Sequence, residues 1–559
     1  MIPYLQINRP MRVTTPLGPD VLLLVGLKGI EGLSQLYSFQ LDLLAPVVDA
    51  VDFHKLLGQP IGMQIEPATL SPRWFHGVAR SVTQSGQDEE FVHFEMEVVP
   101  KFWLWTQRHR SRIFQQLNVP DILNQVLDGL DFELKLTGQY LPRNYCVQYR
   151  ETDFAFASRL MEEEGIFYYF EHSADGCKLI LADAVSSLTD YAAPNVVTYE
   201  TLQGGLRSDE RVSAWRKTQQ VRPTNFTLWD HCFQLPGQNL SAEAALPVSS
   251  TAGTVQHTLA PKDNELEIYD YPGEYAKRFD GVAPGGGDSA DGPSKIFQEN
   301  QRTVRLRSEE QAAQTIDIAG QSNCALFSPG FKFVLADHFN ADGAYVLKRV
   351  EHAARLNVGY RSNEEGEVLL YENKFRCAPI DLPLRPPRVT PRPTIASVQT
   401  ATVVGPSGSE IFIDKYGRVK VQFHWDRLGK NNADSSCWLR VGQVWAGNRW
   451  GGFFWPRVGH EVVVVFVEGD PDRPLIVGSV YNAANMPPTD LPEQAKVGGV
   501  KSCIFSGNPL INFNALYFHD TPGTEYIQLH SEKDEVVHAE TNKLHYVPVG
   551  EFSFRGNIL

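Results

Sequence analysis

The sequence predicts a mainly β chain of several domains, β-rich with a few helices. Three observations carry this. Its 559 residues exceed the size at which one hydrophobic core stops growing. Its 44 glycines, 36 prolines and 11% aromatic residues suit short strands joined by many turns. Long runs at helical spacing are few, whereas apolar and polar residues often alternate with a period of two.

In chain order, a first helix is expected from Pro120, where proline suits the first turn, with Ile122, Leu123, Val126, Leu127 and Leu130 at helical spacing. A second begins at Thr152, a good N-cap. It places Phe154, Ala157, Leu160 and Met161 on one face and stops at Gly165. Ile166–Phe170 then reads as an aromatic strand. Gly281–Ser294 reads as a flexible surface loop, and its glycines are expected to have no strand before them and no helix after. Prolines at 379, 383, 386, 387, 391 and 393 predict a stiff, extended linker.

Five strand-like segments follow: Glu410–Ile413, Arg418–Trp425, Cys437–Trp445, Glu461–Val467 and Pro474–Tyr481. Val419, Val421, Phe423 and Trp425 should face a core, with Lys420, Gln422 and His424 in solvent. Val462–Phe466 is apolar throughout and should be buried on both faces. Five short strands suit an OB-type barrel. Beyond it, Phe513–His519 and Glu525–His530 are strands with too little apolar content for a core of their own. Open strand edges invite aggregation unless paired, so these segments predict association with copies of the same chain.

Composition excludes several roles. The 42% hydrophobic and 21% charged content is that of a globular protein. A net charge of −15 repels phosphate backbones and sets nucleic acid aside as a general partner. Cys146, Cys177, Cys232, Cys324, Cys377, Cys437 and Cys503 are odd in number, widely spaced and without a CxxC pair. They predict reduced thiols, as in a cytoplasm. The Met1–Pro10 run has no signal-peptide core, and Val21–Leu27 is too short to span a bilayer.

Taken together the motifs carry a resemblance. They are Gly32–Phe39 (GLSQLYSF), Leu56–Ile61 (LLGQPI), Val99–Trp105 (VPKFWLW), Arg112–Gln115 (RIFQ) and Tyr149–Phe170 (YRETDFAFASRLMEEEGIFYYF). Later come Ile268–Tyr275 (IYDYPGEY), Asp414–Asp426 (DKYGRVKVQFHWD), Pro456–Val462 (PRVGHEV) and Gly469–Pro474 (GDPDRP). In this order, over nearly the whole chain, they resemble VgrG proteins, the spikes of the type VI secretion system, related to the hub and spike of contractile phage tails. The resemblance implies a homotrimer with four parts: a hub-like β-barrel base over 1–380, a Pro-rich linker over 381–404, an OB-type collar over 405–485 and the start of a β-prism needle over 486–559. It implies the Hcp tube and baseplate proteins as partners, with a PAAR-type tip and effectors at the other end. It also implies assembly in the bacterial cytoplasm, secretion without a signal peptide and transient puncture of a membrane. The needle of the family runs through many valine-glycine repeats. Here only Val549–Gly550 suggests them, so a short needle without an attached toxin domain is expected.

No catalytic, cofactor-binding or metal residue is assigned, and no cofactor is expected. Glu162, Glu163 and Glu164 invite comparison with a glycosidase pair. Neighbours on a helix point different ways, so a solvated helix end is expected instead. Asp470–Pro474 could be a calcium loop but offers few oxygen ligands, so a strand-joining turn is expected. His424, His460, His519 and His530 are scattered, without HExxH. Trp438, Trp445, Trp450 and Trp455 could stack bases. Glu410–Tyr481 holds nine Lys/Arg against eight Asp/Glu, which is no electrostatic funnel, so core packing or subunit contact is expected. No GxSxG motif occurs. The alternative of a phage-tail-like spike with cell-wall hydrolase activity would need a catalytic domain, and Asn482–Val500 is too short for one.

Overall fold

The computed structural model describes residues 4–67, 71–191, 195–201, 209–260, 265–289, 292–357, 360, 368–550 and 553. Most of the terminal run 550–559, and two residues of the 281–294 loop, lie outside them. The fold is β-rich, as expected. A 13-stranded sheet dominates the base among the described residues.

The long strand Gly343–Leu356 sits at the centre of that sheet and serves two modules. On one side it continues into Leu23–Gly32, Gln35–Pro46, Phe91–Val99, Arg73–Gln87, Pro60–Ile65 and Met11–Thr14. On the other side it pairs with Leu369–Pro379, then Ile316–Ser322, Arg211–Gln219, Val196–Tyr199 and Phe331–Ala336. The last of these pairs back onto Gly343–Leu356, closing a six-stranded barrel without free edges. A bulge between Leu347 and Arg349 bends the shared strand from one module into the other.

Two helices form where their caps predict. Helix α1 (Val119–Val126) has Asn118 accepting from the Asp121 N–H at 2.8 Å and proline in its first turn. The Trp105 indole N–H donates to the Val126 carbonyl at 2.8 Å, satisfying one of the carbonyls that a helix end leaves open. Helix α2 (Asp153–Glu164) starts at Thr152, whose hydroxyl accepts from the Ala155 N–H at 3.0 Å. It ends at Gly165 with φ +69°. A Cβ there would stand 2.8 Å from Leu306 and 2.9 Å from Arg385, so both conformation and space require glycine. The buried face is set by Phe156, Ala157, Leu160 and Met161, while Phe154 is half-buried against Phe102.

Helix α3 (Lys295–Ala312) follows directly on the glycine-rich loop, where no helix was expected. Its buried side includes Glu299, Asn300, Thr303, Ser308 and Glu310, so no apolar stripe marks it. The loop before it is docked rather than free: the Ala283 carbonyl accepts from the Trp438 indole N–H at 3.0 Å, and Asp288 pairs with Lys415.

The five-stranded barrel is present with one strand exchanged. Its sheet order is Lys420–Phe423, Gln399–Val404, Glu461–Phe466, Pro474–Val480 and Arg440–Val441. A bridge between Val419 and Leu439 joins the two ends. Glu410–Ile413 is irregular, and Gln399–Val404 takes its place, from the stretch read as linker. Lys420 and Gln422 are buried rather than in solvent. The Lys420 ammonium donates to the Ala433 carbonyl, and Gln422 donates to the Asp426 carbonyl. Val462–Phe466 alternates buried and half-buried residues, so one of its faces is not covered by this chain.

The C-terminal part is a three-stranded antiparallel meander of Val497–Lys501, Ala515–His519 and Tyr526–His530. All seven cysteines are free thiols.

Candidate functional site: a buried ionic junction and an uncovered needle

Two features single themselves out. The first is the joint at which base, proline-rich strap and OB-type barrel meet. Tyr145 and Val147 of the base strand Arg143–Thr152 lie in the apolar core of the barrel. The Val147 N–H donates to Asp472 at 2.7 Å.

Charges surround this shared core. Glu164, expected with Glu163 at a solvated helix end, is buried and the Glu163 side chain is largely covered, because arginines distant in sequence converge on them. Arg143 reaches Glu163 at 2.8 Å and also contacts Glu164. Arg278 and Arg302 bridge Glu164 and Glu299. Arg392, from the strap, holds Glu163 at 2.6 Å and also pairs with Glu274. Burial pushes the Glu163 carboxyl up, but Arg392, Arg143, Arg159 and Arg278 outweigh it and hold it well below the usual carboxylate range. Glu164 is held at about 2, because Arg143, Arg278 and Arg302 outweigh the opposing effect of burial. Glu162 accepts from the Val389 and Thr390 N–H groups and from the Thr390 hydroxyl. The three carboxylates therefore serve as anchors, each occupied by donors, and no pair of them faces a substrate-sized space.

The strap is extended, as its prolines dictate, but it is not a free spacer. Leu382 and Leu384 are buried. Arg385 pairs with Glu309 at 2.7 Å and donates to the Gly165 and Asp183 carbonyls. Arg388 pairs with Glu310 at 2.9 Å.

The barrel is fixed from its own side too. Arg418, 2% exposed, makes a two-pronged contact with Asp280 at 2.6 and 2.9 Å and holds Asp414 at 2.6 Å. Lys277 of the base pairs with Asp470 and, at 3.1 Å, with Asp472. Its ammonium takes the place between these carboxylates that the calcium reading would assign to a cation. Among the described residues no cluster of three or more His, Cys, Asp or Glu is placed to hold a metal. His424 reaches Thr400, His460 accepts from the Arg457 N–H, His519 stacks on Tyr526 and His530 lies tilted against Phe513, so the four do not converge. Trp438 is buried against the 281–294 loop. Trp455 packs on Gly417. Trp445 and Trp450 stand exposed, edge to face, on a hairpin.

The second feature is the tail. Between 482 and 550, Ala515 is the one described residue that is buried. Ile527 is 68% exposed, Leu529 61% and Leu544 90%. A strand meander that buries one alanine cannot offset its own ordering entropy. Among the described residues no helix is long and apolar enough to cross a membrane.

Comparison with known proteins gives two family matches within the chain. Residues 30–358 match the phage tail baseplate hub family, and residues 413–481 match the type VI secretion system/phage-baseplate injector OB domain. The type VI secretion system spike protein VgrG1c of Pseudomonas aeruginosa is 36% identical over 97% of this chain and 71% of its own. The actin cross-linking toxin VgrG1 of Vibrio cholerae is 34% identical over 82% of this chain, which spans 39% of that protein. Among solved structures, the E. coli c3393 protein, a type VI secretion component with structural similarity to bacteriophage T4 tail proteins gp27 and gp5, superposes with a TM-score of 0.56. It is 20% identical and covers 84% of this chain and 99% of its own, a likeness of fold. With hub and OB modules in family order and spike relatives aligned along nearly its whole length, the chain belongs to the VgrG family of type VI secretion system spike proteins.

Proposed function

We propose that the chain acts as one of three identical subunits of a puncturing and delivery spike, with a mechanical rather than catalytic role. The observation that carries this is the tail, whose strands expose apolar side chains on a meander without an interior. Three copies wrapped about one axis would supply the missing core and pair the open edges, giving a stiff rod. The half-covered Val463 and Val465 of the barrel and the exposed Trp445 and Trp450 fit the same arrangement. Residues 1–380 form the base, 381–404 the strap, 405–485 the collar and 486–559 the needle, with Gln399–Val404 lent by the strap segment to the collar. As the family implies, the base sits on an Hcp tube and the far end carries a PAAR-type tip or effectors. Against the hydrolase alternative, Glu162, Glu163 and Glu164 are each held by donors. Native mass spectrometry tests the reading: it should give a particle of three chains, and a stable single chain at micromolar concentration would overturn it.

A further inference from the structure

The outer face of the six-stranded barrel carries a charged groove that the spike reading does not use. Cross-strand register places Arg216, Ala319, Arg376 and Arg349 side by side in one row over four strands. The next row on the same face holds Ala214, Gln321, Lys374 and Glu351. Arg376 and Arg349 are directly opposed, an arrangement that repels. Glu351 blunts it by holding Arg349 at 2.9 Å, and Asp317 by holding Arg376 at 2.6 Å. Arg216 and Lys374 are exposed, and no carboxylate among the described residues pairs with either. The Nε of Arg349 is buried with no hydrogen-bond partner.

The two alanines make the floor low. Between the longer side chains lies a groove of about 330 Å³, lined by Arg216, Arg349, Lys374 and Arg376. Four cations there meet one lining carboxylate, Glu351, with Asp317 beside Arg376 as a second, on a chain whose net charge is −15. A basic patch on so acidic a molecule selects for carboxylates in a specific geometry, because guanidinium forks match them two-pronged. At about 4.8 Å per strand the groove spans roughly 14 Å, room for two or three carboxylates and too short for a tracked phosphate backbone.

We propose that this groove binds a carboxylate-rich segment of a partner protein. The test uses the full-length chain and a fluorescein-labelled oligoglutamate peptide, read by anisotropy at low salt, with oligoglutamine as the neutral comparison. Exchanging Arg216→Gln together with Lys374→Gln removes the two unpaired cations at exposed positions. Lys55→Gln together with Arg305→Gln makes the same charge change elsewhere. The groove variant should weaken oligoglutamate binding about tenfold, the loss of two charge-assisted contacts, and the control variant less than about twofold. Equal weakening by both variants, unchanged binding in the groove variant, or equal binding of oligoglutamine would each overturn the proposal. So would inorganic polyphosphate binding the groove where oligoglutamate does not. A changed sedimentation coefficient of the groove variant without peptide would also overturn it, by assigning the groove to a second copy of the chain.

Discussion

Replacing Glu164 with alanine destabilises the junction by about 3 kcal/mol, the cost of leaving three buried or half-buried guanidiniums short of counter-charge. Glu164 is 4% exposed and touches Arg143, Arg278 and Arg302, which are themselves buried or nearly so. Glu163, shared with Arg392, stays beside Arg143, and Glu299 is left as the single carboxylate for both Arg278 and Arg302. The removed carboxylate was also the one contact shared by three elements: the strand Arg143–Thr152, the turn around Arg278 and helix α3. Urea unfolding monitored by tryptophan fluorescence should show the transition of the base at clearly lower denaturant, with Glu162→Ala shifting it less, since Glu162 holds backbone and hydroxyl donors that water can replace. An unchanged midpoint in the Glu164 variant would mean that the network is ornamental. Acid acts in the same direction. The folded carboxyl titrates at about 2 and an unfolded glutamate near 4.3, so the contribution of Glu164 is complete above about pH 4.3 and is lost as pH falls through about 2.

A comparable loss, about 3–5 kcal/mol, is expected for Glu31→Ala in the core of the base. Glu31 is 3% exposed. It holds Arg73 at 2.9 Å, His352 at 2.8 Å and His172 at 3.2 Å. The His352 Nδ1 faces the Tyr371 hydroxyl at 2.7 Å, and the His172 Nδ1 accepts from the His76 N–H at 3.1 Å. The neutral His352 therefore turns a donor N–H towards the carboxylate, His172 Nε2 lies near it without a formed hydrogen bond, and Arg73 is its counter-charge. Burial raises the Glu31 carboxyl, and Arg73, His172 and His352 together bring it well below its ordinary range. Burial lowers both histidines, outweighing the opposite pull of Glu31. Their folded values lie below the unfolded value near 6.5, so the unfolded chain binds protons first and stability falls as pH drops from about 6.5. Melts of the unaltered protein at pH 7.5 and 5.5 should therefore differ, with the lower pH less stable. Glu31→Ala should unfold earlier than the unaltered protein at both.

What was legible in the sequence follows from how local each signal is. Helices α1 and α2 are readable because their signals, Pro120 with the apolar spacing after it and Thr152 with Gly165, act locally. Helix α3 is not, because its buried side is polar: Glu299 and Glu310 meet Arg278 and Arg388 brought from elsewhere, and Asn300 meets the Leu240 carbonyl. The same non-local pairing misled the reading of Glu162–Glu164: nothing near them announces that Arg143, Arg278, Arg302 and Arg392 will converge there. The first barrel strand, Gln399–Val404, is masked by the prolines before it, whereas the strand-like Glu410–Ile413 is irregular. Lys420 looked solvent-facing because alternation fixes which face a side chain takes but not what covers that face. The strands of the tail and their lack of a core within one chain are legible for the opposite reason. A segment with few apolar residues per strand cannot bury itself whatever its partners are, and that conclusion needs no long-range information.

Hydrogen exchange across Val497–Lys501, Ala515–His519 and Tyr526–His530 tests most directly whether the needle borrows its interior from other copies. In the assembled particle these amides should exchange slowly, and dilution to single chains should make them exchange at nearly the rate of unfolded peptide while the barrel strand Glu461–Phe466 stays protected. Slow exchange of the same three strands in an isolated chain would contradict the account, because it would locate their interior within one molecule.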